Sequence, residues 1–272
     1  MSEPTGNPRP PAAGAQTISF TRIVDLSVGI IPGAVHEPWK PSVHYLTHEG
    51  EGLEWMQSMF GASPEDLVWS GGRGPAFEEV TAITHCGTHV DAPWHYGPES
   101  EGKPAKTIEQ CPLEWFISDG VVLDVRHKGP NTRIEVEDLQ RALEKIDYTL
   151  KPLDIVMIMS GSDARLGSLE YFEQPGMTRE STLWLLDQGI KVIGVDMYGF
   201  DRKFQDMADD FHRTGDGRVI WEAHFAGIER EYCQIEKLVN LDKLPPHGFK
   251  VACFPVKVEA ASGGWCRAVA FL

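Results

Sequence analysis

The stretch from His85 to Tyr96 constrains this chain most, because it places three histidines and one aspartate within eleven positions. Imidazole nitrogens and carboxylate oxygens are the ligands that suit borderline divalent ions such as zinc, manganese or iron. Gly87 and Pro93 disfavour a regular helix, since glycine loosens the backbone and proline lacks a donor and fixes φ. We therefore predict the end of a strand that turns into a tight loop and brings its polar side chains to one metal ion.

The candidate ligands are His85, His89 and Asp91, and His95 closes the motif. A lone histidine is more often a hydrogen-bonded core or surface residue than a ligand, and two close together prove little. Four candidates with Gly, Thr and Pro at the intervening bends favour a metal site. His95 has two open interpretations. It is a proton shuttle, because imidazole titrates near neutral pH, or it is a further ligand.

The pattern His-x-Gly-Thr-His-x-Asp-x-Pro-x-His over residues 85–95 resembles the signature of the cyclase family of metal-dependent hydrolases, which includes bacterial kynurenine formamidases (arylformamidases) and isatin hydrolases. The resemblance extends from about Ile23 onward. It implies one α/β domain of the swivelling β/β/α type, with a mixed sheet curved into a partial barrel and helices outside. It also implies a divalent metal cofactor, Mn²⁺ or Zn²⁺, and a homodimer or homotetramer.

The same resemblance implies site residues outside the motif. In the family a helix histidine is followed twelve residues later by a carboxylate before a Leu-x-x-Leu-like run, and His224 and Glu236 match this arrangement as metal ligands. Without the resemblance, His224 would be read as a satisfied helix residue and Glu236 as a surface charge. Isatin hydrolases carry an amide at the carboxylate position and bind one ion, so one or two ions per chain remain open. The family's general acid/base corresponds to His95.

Trp39 is a candidate substrate-binding residue in a loop, Gly29 to Pro41, with three prolines and two glycines. Formamidases of the family carry a Trp beside Pro in their N-terminal loop, which implies an aromatic wall for a flat substrate. A packing anchor for the loop is an equally good interpretation. Arg267 fits the family's arginine near the C-terminus, with an ion pair as the alternative. The family usually has a glycine where Ala260 stands, which puts that turn in doubt.

Apolar patterning predicts one α/β domain over residues 18–272 after a disordered tail at residues 1–17, which is rich in Pro, Gly and Ala. The segment from His44 to Gly74 is predicted to be irregular, with aromatic side chains that cover the core or a pocket mouth. A surface loop is predicted from Asp201 to Arg218. The regular elements are expected as strands at residues 18–26, 77–84, 120–125, 154–159, 191–196 and 232–241, two strands within 249–272, and helices at 136–146, 178–188 and 219–231.

Charge and cysteine usage limit the partners and the compartment. The net charge of −15 disfavours a nucleic-acid backbone or an anionic membrane as partner. The sequence contains no run of about 18 apolar residues, so no membrane span is predicted. Five cysteines, without a C-x-x-C pair, favour reduced thiols and a cytoplasmic location.

The predicted function is a metal-dependent hydrolase that cleaves the C–N amide bond of a small aromatic N-formyl amine or of a cyclic amide. Kynurenine itself is disfavoured as the substrate moiety, because the chain is longer than a typical formamidase. Two alternatives remain open: a metal-dependent lyase or cyclase acting on a small carbonyl substrate, and a non-catalytic module that binds a metal or small molecule. Serine-hydrolase and H-E-x-x-H metalloprotease motifs are absent from the sequence.

Overall fold

A computed structural model describes residues 19–272, so the predicted tail at residues 1–17 lies outside the described residues. The described part contains the helices α1 (Glu51–Phe60), α2 (Pro93–Tyr96), α3 (Val136–Lys145), α4 (Arg179–Asp187), α5 (Phe204–Thr214) and α6 (Glu222–Glu229). Its strands are β1 (Ile23–Asp25), β2 (Ser42–Leu46), β3 (Phe77–Thr81), β4 (His89–Asp91), β5 (Glu99–Ser100), β6 (Lys103–Pro104), β7 (Ile117–Asp124), β8 (Arg133–Ile134), β9 (Ile155–Met159), β10 (Gly176–Met177), β11 (Val192–Val195), β12 (Cys233–Glu236), β13 (Phe249–Ala252), β14 (Gly263–Trp265) and β15 (Val269–Phe271).

Nine strands form one mixed sheet in the order β1-β15-β13-β7-β9-β11-β12-β4-β14. The four central strands β7, β9, β11 and β12 run parallel, and antiparallel strands extend the sheet at both ends. The sheet curls into a half-barrel, which confirms the predicted mixed α/β sheet with outer helices. Strands β4 and β12, which carry the predicted ligands, are neighbours although they are far apart in the chain.

The core has two layers because successive residues of a strand point to opposite faces of the sheet. Leu123 and Ile158 pack under the apolar faces of α3 and α4, against residues such as Leu139 and Leu185. On the other face, Met157 belongs to a cluster that continues along the antiparallel strands. Helix α4 begins as predicted, because the side chain of its N-cap residue Thr178 accepts a hydrogen bond from the backbone N–H of Ser181.

Residues 42–81 form an arm in which β2 pairs with β3 around helix α1. The prediction of an irregular stretch was therefore wrong for β2 and α1. Its aromatic side chains were also predicted to cover the core or a pocket mouth, and two of them do not: Trp69 is fully exposed and Phe60 is 65% exposed. The apolar composition of a segment does not specify whether its side chains pack against the rest of the same chain. The side chains of Trp69 and Phe60 are not covered by the described residues.

Two further predictions differ from the structure. The segment predicted as a surface loop after Asp201 contains helix α5, because Met207 is buried from one helical face and Gly215, in the left-handed region at φ 70°, ends the helix. The C-terminal region has three strands, β13 to β15, where two were expected. Among the described residues, no helix is long and apolar enough to span a bilayer.

Candidate metal centre

The pairing of β4 with β12 brings the predicted ligands together. His89 lies opposite Glu236 and Asp91 lies opposite Gln234 in the antiparallel register. Residues two apart on a strand share a face, so these four side chains lie on the same side of the sheet. All four are buried, at the edge where the motif loop enters β4.

Asp91 and Glu236 each direct one carboxylate oxygen toward His89. The Nε2 atom of His89 lies 3.2 Å from Asp91 Oδ1 and 3.5 Å from Glu236 Oε2. His85 approaches Asp91 from the loop, with its Nδ1 atom 2.6 Å from the same Oδ1 atom. Two groups have ligand atoms that all lie within 4.8 Å of one another: His89 with Asp91 and Glu236, and His85 with Asp91 and His95.

The hydrogen bonding of His89 shows that this donor set fits a divalent ion. Its Nδ1 atom lies 2.8 Å from the carbonyl oxygen of Gly87, so this nitrogen carries the proton and donates it. The Nε2 lone pair then faces two carboxylates, and Nε2 is buried without a hydrogen-bond partner among residues 19–272. A lone pair set against anionic oxygens is favourable when a cation binds between them. Nitrogen and oxygen donors also suit zinc or manganese.

Asp91 is held in its anionic form. Burial raises the pKa of its carboxyl group, but the imidazoles of His85, His95 and His89 outweigh burial and hold that pKa well below its usual range. An ionised carboxylate is the form that binds a metal ion. The protein interior therefore retains a negative charge on Asp91 Oδ1, which both His85 and His89 approach.

His95 lies beside this cluster on the short helix α2, which begins at Pro93 as expected for a first helical position. Its ring stacks on His85 with the centroids 4.1 Å apart, and its Nε2 atom lies 4.0 Å from Asp91 Oδ2. Burial lowers the pKa of His95 to about 4 although Asp91 raises it, so the ring is neutral at pH 7. The position fits either role predicted for His95, proton transfer or ligation.

His224 reaches the cluster from α6 and is oriented by Asp201. The Oδ2 atom of Asp201 accepts a hydrogen bond from His224 Nδ1, and the same carboxylate accepts the backbone N–H groups of Ala223 and His224 at the start of α6. The Nε2 atom of His224 therefore points toward Glu236, with Oε1 3.5 Å away. His224 belongs to neither of the two compact groups, because Gln234 lies between it and Asp91.

A buried ion pair supports the motif loop. Lys237 donates to Glu37 Oε2 at 2.7 Å and to the backbone oxygen of His85 at 3.0 Å. The other oxygen of Glu37 accepts the backbone N–H of Gly87 at 2.8 Å. Gly87 has φ 61°, a conformation that glycine adopts without strain, and this turn directs His85 toward Asp91. The pair thus ties the N-terminal loop to the ligand loop.

A cavity of about 190 Å³ opens at the centre. Trp39, which is 62% exposed, and Pro38 form one side of the mouth. Trp221 stacks on His224 with ring centroids 4.6 Å apart and forms another wall. The remaining lining combines the aromatic rings of Tyr198, Phe200 and Phe204 with polar and charged side chains, among them Arg202 and Glu236.

The structure adds three residues to the predicted site, namely Gln234, Asp201 and Trp221. Gln234 could have been found from sequence, since it precedes Glu236 by two positions in a predicted strand and must share its face. Trp221 precedes His224 by three positions on a predicted helix, a spacing that places both on one side. Asp201 carried no sequence signal. Arg267 lies elsewhere, in an exposed ion pair with Asp25 that agrees with its alternative interpretation.

Comparison with known sequences identifies the family. The sequence profile of a family described as "Putative cyclase" matches residues 24–202, more than half of the chain. The chain belongs to the cyclase family. This confirms the family inferred from the histidine motif.

The relatives of this cyclase-family chain are distant in sequence. A kynurenine formamidase from Erythrobacter litoralis (strain HTCC2594) is 27% identical over 190 residues, which cover 70% of this chain and 74% of the relative. An isatin hydrolase solved with the product analogue thioisatinate is 22% identical, with a TM-score of 0.68 and 92% of each chain covered. Isatin hydrolase A from Labrenzia aggregata, solved with benzyl benzoate, is 19% identical, with a TM-score of 0.70 and 92% and 93% coverage. The structural likeness establishes the shared fold.

Proposed function

We propose that this chain is a metal-dependent hydrolase that cleaves a C–N amide bond in a small aromatic N-formyl amine or cyclic amide. The observation that carries the proposal is the convergence of His89, Asp91 and Glu236, the last of which also lines a cavity with aromatic walls. The named relatives, a kynurenine formamidase and isatin hydrolases, support the reaction class.

The ligand side of the proposal rests on His85, His89, Asp91 and Glu236, which hold the ion, with His224 adjoining them. A divalent ion at this position supplies Lewis acidity, which polarises a carbonyl and lowers the pKa of water to near neutrality. The chain's own contribution is to keep Asp91 ionised and to fix the tautomer of His89 through the Gly87 carbonyl. Manganese and zinc both suit this donor set.

His95 is the proposed general acid/base. Its imidazole borders the cavity beside the cluster, so it can take the proton of the attacking water and deliver it to the leaving nitrogen. Stacking on His85 and the proximity of Asp91 hold the ring in place. We expect His95→Ala to reduce turnover by about 10²–10⁴-fold while the metal content of the protein stays unchanged. Loss of the metal in this variant would instead make His95 a ligand.

The aromatic lining supports a flat substrate. Trp39 and Trp221 lie on the walls of the cavity, and Trp221 also stacks on His224. Aromatic rings prefer offset or edge-to-face contacts with other rings, which favours an aryl amide over an aliphatic one. Trp39 remains the proposed substrate-binding residue at the mouth.

Turnover in oxygen-18 water tests the reaction class. The metal-loaded protein is incubated with an N-formyl arylamine or a cyclic aryl amide, and the product is examined by mass spectrometry. Hydrolysis places one label in the product acid or in formate. Product without the label would support the lyase or cyclase alternative, and metal binding without turnover of either substrate class would support the binding module.

We propose in addition that the chain forms a homodimer or homotetramer through the arm of residues 42–81. The support is the exposure of the arm's apolar side chains, among them Trp69, Phe60 and Val68, which a second copy of the chain would remove from water. Light scattering of the wild type and of Trp69→Glu tests this. A monomeric wild type, or a Glu variant with the wild-type mass and dissociation constant, would contradict it.

A further inference from the structure

Gln234 occupies the middle of the predicted centre. Its side chain is buried on β12, on the same face as Glu236 and opposite Asp91 in the sheet register. The amide nitrogen, Nε2, lies within 3 Å of three polar atoms: it donates to Asp91 Oδ2 at 2.9 Å and to Glu236 Oε1 at 2.9 Å, and it lies 2.8 Å from His224 Nε2. No other amide side chain among residues 19–272 contacts the predicted ligands in this way.

These contacts divide the ligand atoms into two sets. Asp91 Oδ1 and Glu236 Oε2 face His89, and Asp91 Oδ1 also faces His85. The second oxygen of each carboxylate, together with His224 Nε2, faces the amide nitrogen of Gln234. Two ions bridged by Asp91 and Glu236 would need both sets, one set for each ion. The two carboxylate oxygens of the second set already accept hydrogen bonds from the two N–H bonds of the amide, whose nitrogen cannot ligate a cation.

The orientation of the amide is fixed by Tyr232. Its hydroxyl group donates to Gln234 Oε1 at 2.9 Å, and its ring is buried and stacks on Tyr96 with centroids 4.9 Å apart. Turning the amide over would set Oε1 against the two carboxylates of Asp91 and Glu236, which is electrostatically unfavourable. The amide nitrogen therefore remains directed at the carboxylates of Asp91 and Glu236, and the side chain is held in one orientation.

We propose that Gln234 limits the centre to a single divalent ion, bound on the His85 and His89 side. This rests on the metal centre of the proposed function and specifies its stoichiometry. It also gives two residues of β12 different roles: Glu236 supplies a ligand, and Gln234 closes the place that a second ion would take.

Metal stoichiometry tests the proposal without an activity assay. Wild type, Gln234→Ala and Gln234→Leu are saturated with Mn²⁺, freed of excess ion, and analysed for manganese per chain. We expect one ion in the wild type and two in Gln234→Ala, because the alanine variant frees Asp91 Oδ2, Glu236 Oε1 and His224 Nε2. Gln234→Leu is the matched control: it keeps the volume without the hydrogen bonds and should stay at one ion. If the alanine variant does not fold, Gln234→Ser replaces it with the same expectation.

The outcomes separate this inference from the proposed function. Two ions in the wild type, or one ion in both small-side-chain variants at saturating Mn²⁺, would overturn the role of Gln234 and leave a metal-dependent hydrolase intact. A wild type that binds no Mn²⁺ or Zn²⁺ and melts at the same temperature with and without chelator would overturn the metal centre itself, and this inference with it.

Discussion

Asp91 and Asp196 are both buried at strand ends of the same sheet, yet their surroundings shift the two pKa values in opposite directions. Burial raises the pKa of each carboxyl group. Around Asp91, three histidines outweigh burial and hold the pKa well below its usual range. Asp196 accepts hydrogen bonds from Ser160 and from the backbone N–H of Gly161, all neutral donors, and burial raises its pKa to about 6.

Asp91, a candidate ligand, and Asp196 therefore differ in the charge of the groups that surround them rather than in burial. Neutral donors offset only part of the cost of removing a carboxylate from water, whereas neighbouring imidazoles stabilise the anion directly. A buried anion among histidines is poised to bind a cation, and a buried carboxyl group among hydroxyl and amide donors is poised to take up a proton. Burial alone would not have separated the two sites.

The largest expected effect concerns metal binding by Asp91. Asp91→Asn keeps the size of the side chain but removes the anion that faces His85 and His89, so Mn²⁺ affinity should fall by more than about 100-fold, the upper range for residues that only support a ligand. Titration calorimetry of the metal-free protein measures it. Asp196→Asn is the control and should bind Mn²⁺ within about twofold of the wild type. Equal losses in the two variants would break the comparison.

The next effect concerns the pH dependence of stability at Asp196. Because the folded-state pKa is raised from 3.8 to about 6, the folded protein binds more protons between these values. The free energy of unfolding contributed by Asp196 therefore falls as pH rises from about 4 to about 6 and is level above that. Two pK units correspond to about 3 kcal/mol.

Urea unfolding at a series of pH values measures this contribution. The free energy of unfolding of the wild type minus that of Asp196→Asn should decrease by about 3 kcal/mol between pH 4 and pH 7. Subtracting the variant removes the titration of the other carboxyl groups. A difference that is independent of pH would show that Asp196 is ionised at all these pH values, as Asp91 is.

The candidate ligand motif could be recognised in the sequence because its residues are local, whereas the contacts that organise them are not local. His85, His89 and Asp91 share one loop and strand, and their spacing indicated a metal site directly. Gln234 contacts Asp91 across 143 positions of sequence, through a strand pairing that no pattern within either segment specifies. The ion pair of Glu37 with Lys237 spans 200 positions and was missed for the same reason.

The fold class was predictable from the alternation of apolar strands and amphipathic helices, together with the family resemblance. Two surface regions were not. Helix α5 was predicted as a loop because its charged residues hid an apolar spacing, at Phe204, Met207 and Phe211, that is typical of a helix. In the arm, aromatic side chains were predicted to cover the core or a pocket mouth, but Trp69 and Phe60 are exposed, because composition gives the apolar content of a segment and not what its side chains pack against.

The backbone beside Asp91 leaves little room for an added side chain. Gly263 on β14 lies opposite Asp91, and a Cβ atom there would be 2.8 Å from His85 Cε1 and 2.9 Å from the backbone oxygen of Val90. Gly263→Ala should therefore lower the free energy of unfolding by about 1–3 kcal/mol and weaken metal binding by moving His85. Gly29→Ala is the matched control, since apart from Gly29 itself and its chain neighbours no atom of residues 19–272 lies within 4 Å of its Cβ position. Equal melting temperatures and metal affinities for the two variants would show that the ligand loop adapts freely.

The smallest expected effect lies in the turn that leads into β14, the strand beside Asp91. Ala260 is exposed and has φ 55°, in the left-handed region that residues with a Cβ atom adopt at a cost, and the cyclase family usually has glycine here. Ala260→Gly relieves that strain but adds freedom to the unfolded chain, so a net stabilisation of about 0.5–1 kcal/mol is expected from urea unfolding.

Ala261→Gly is the control, because Ala261 lacks a positive φ and packs against the core, so the substitution should destabilise the protein by about the same amount. Opposite signs for these neighbouring substitutions would locate the strain at one residue, and a destabilised Ala260→Gly variant would show that the turn holds its left-handed conformation without cost.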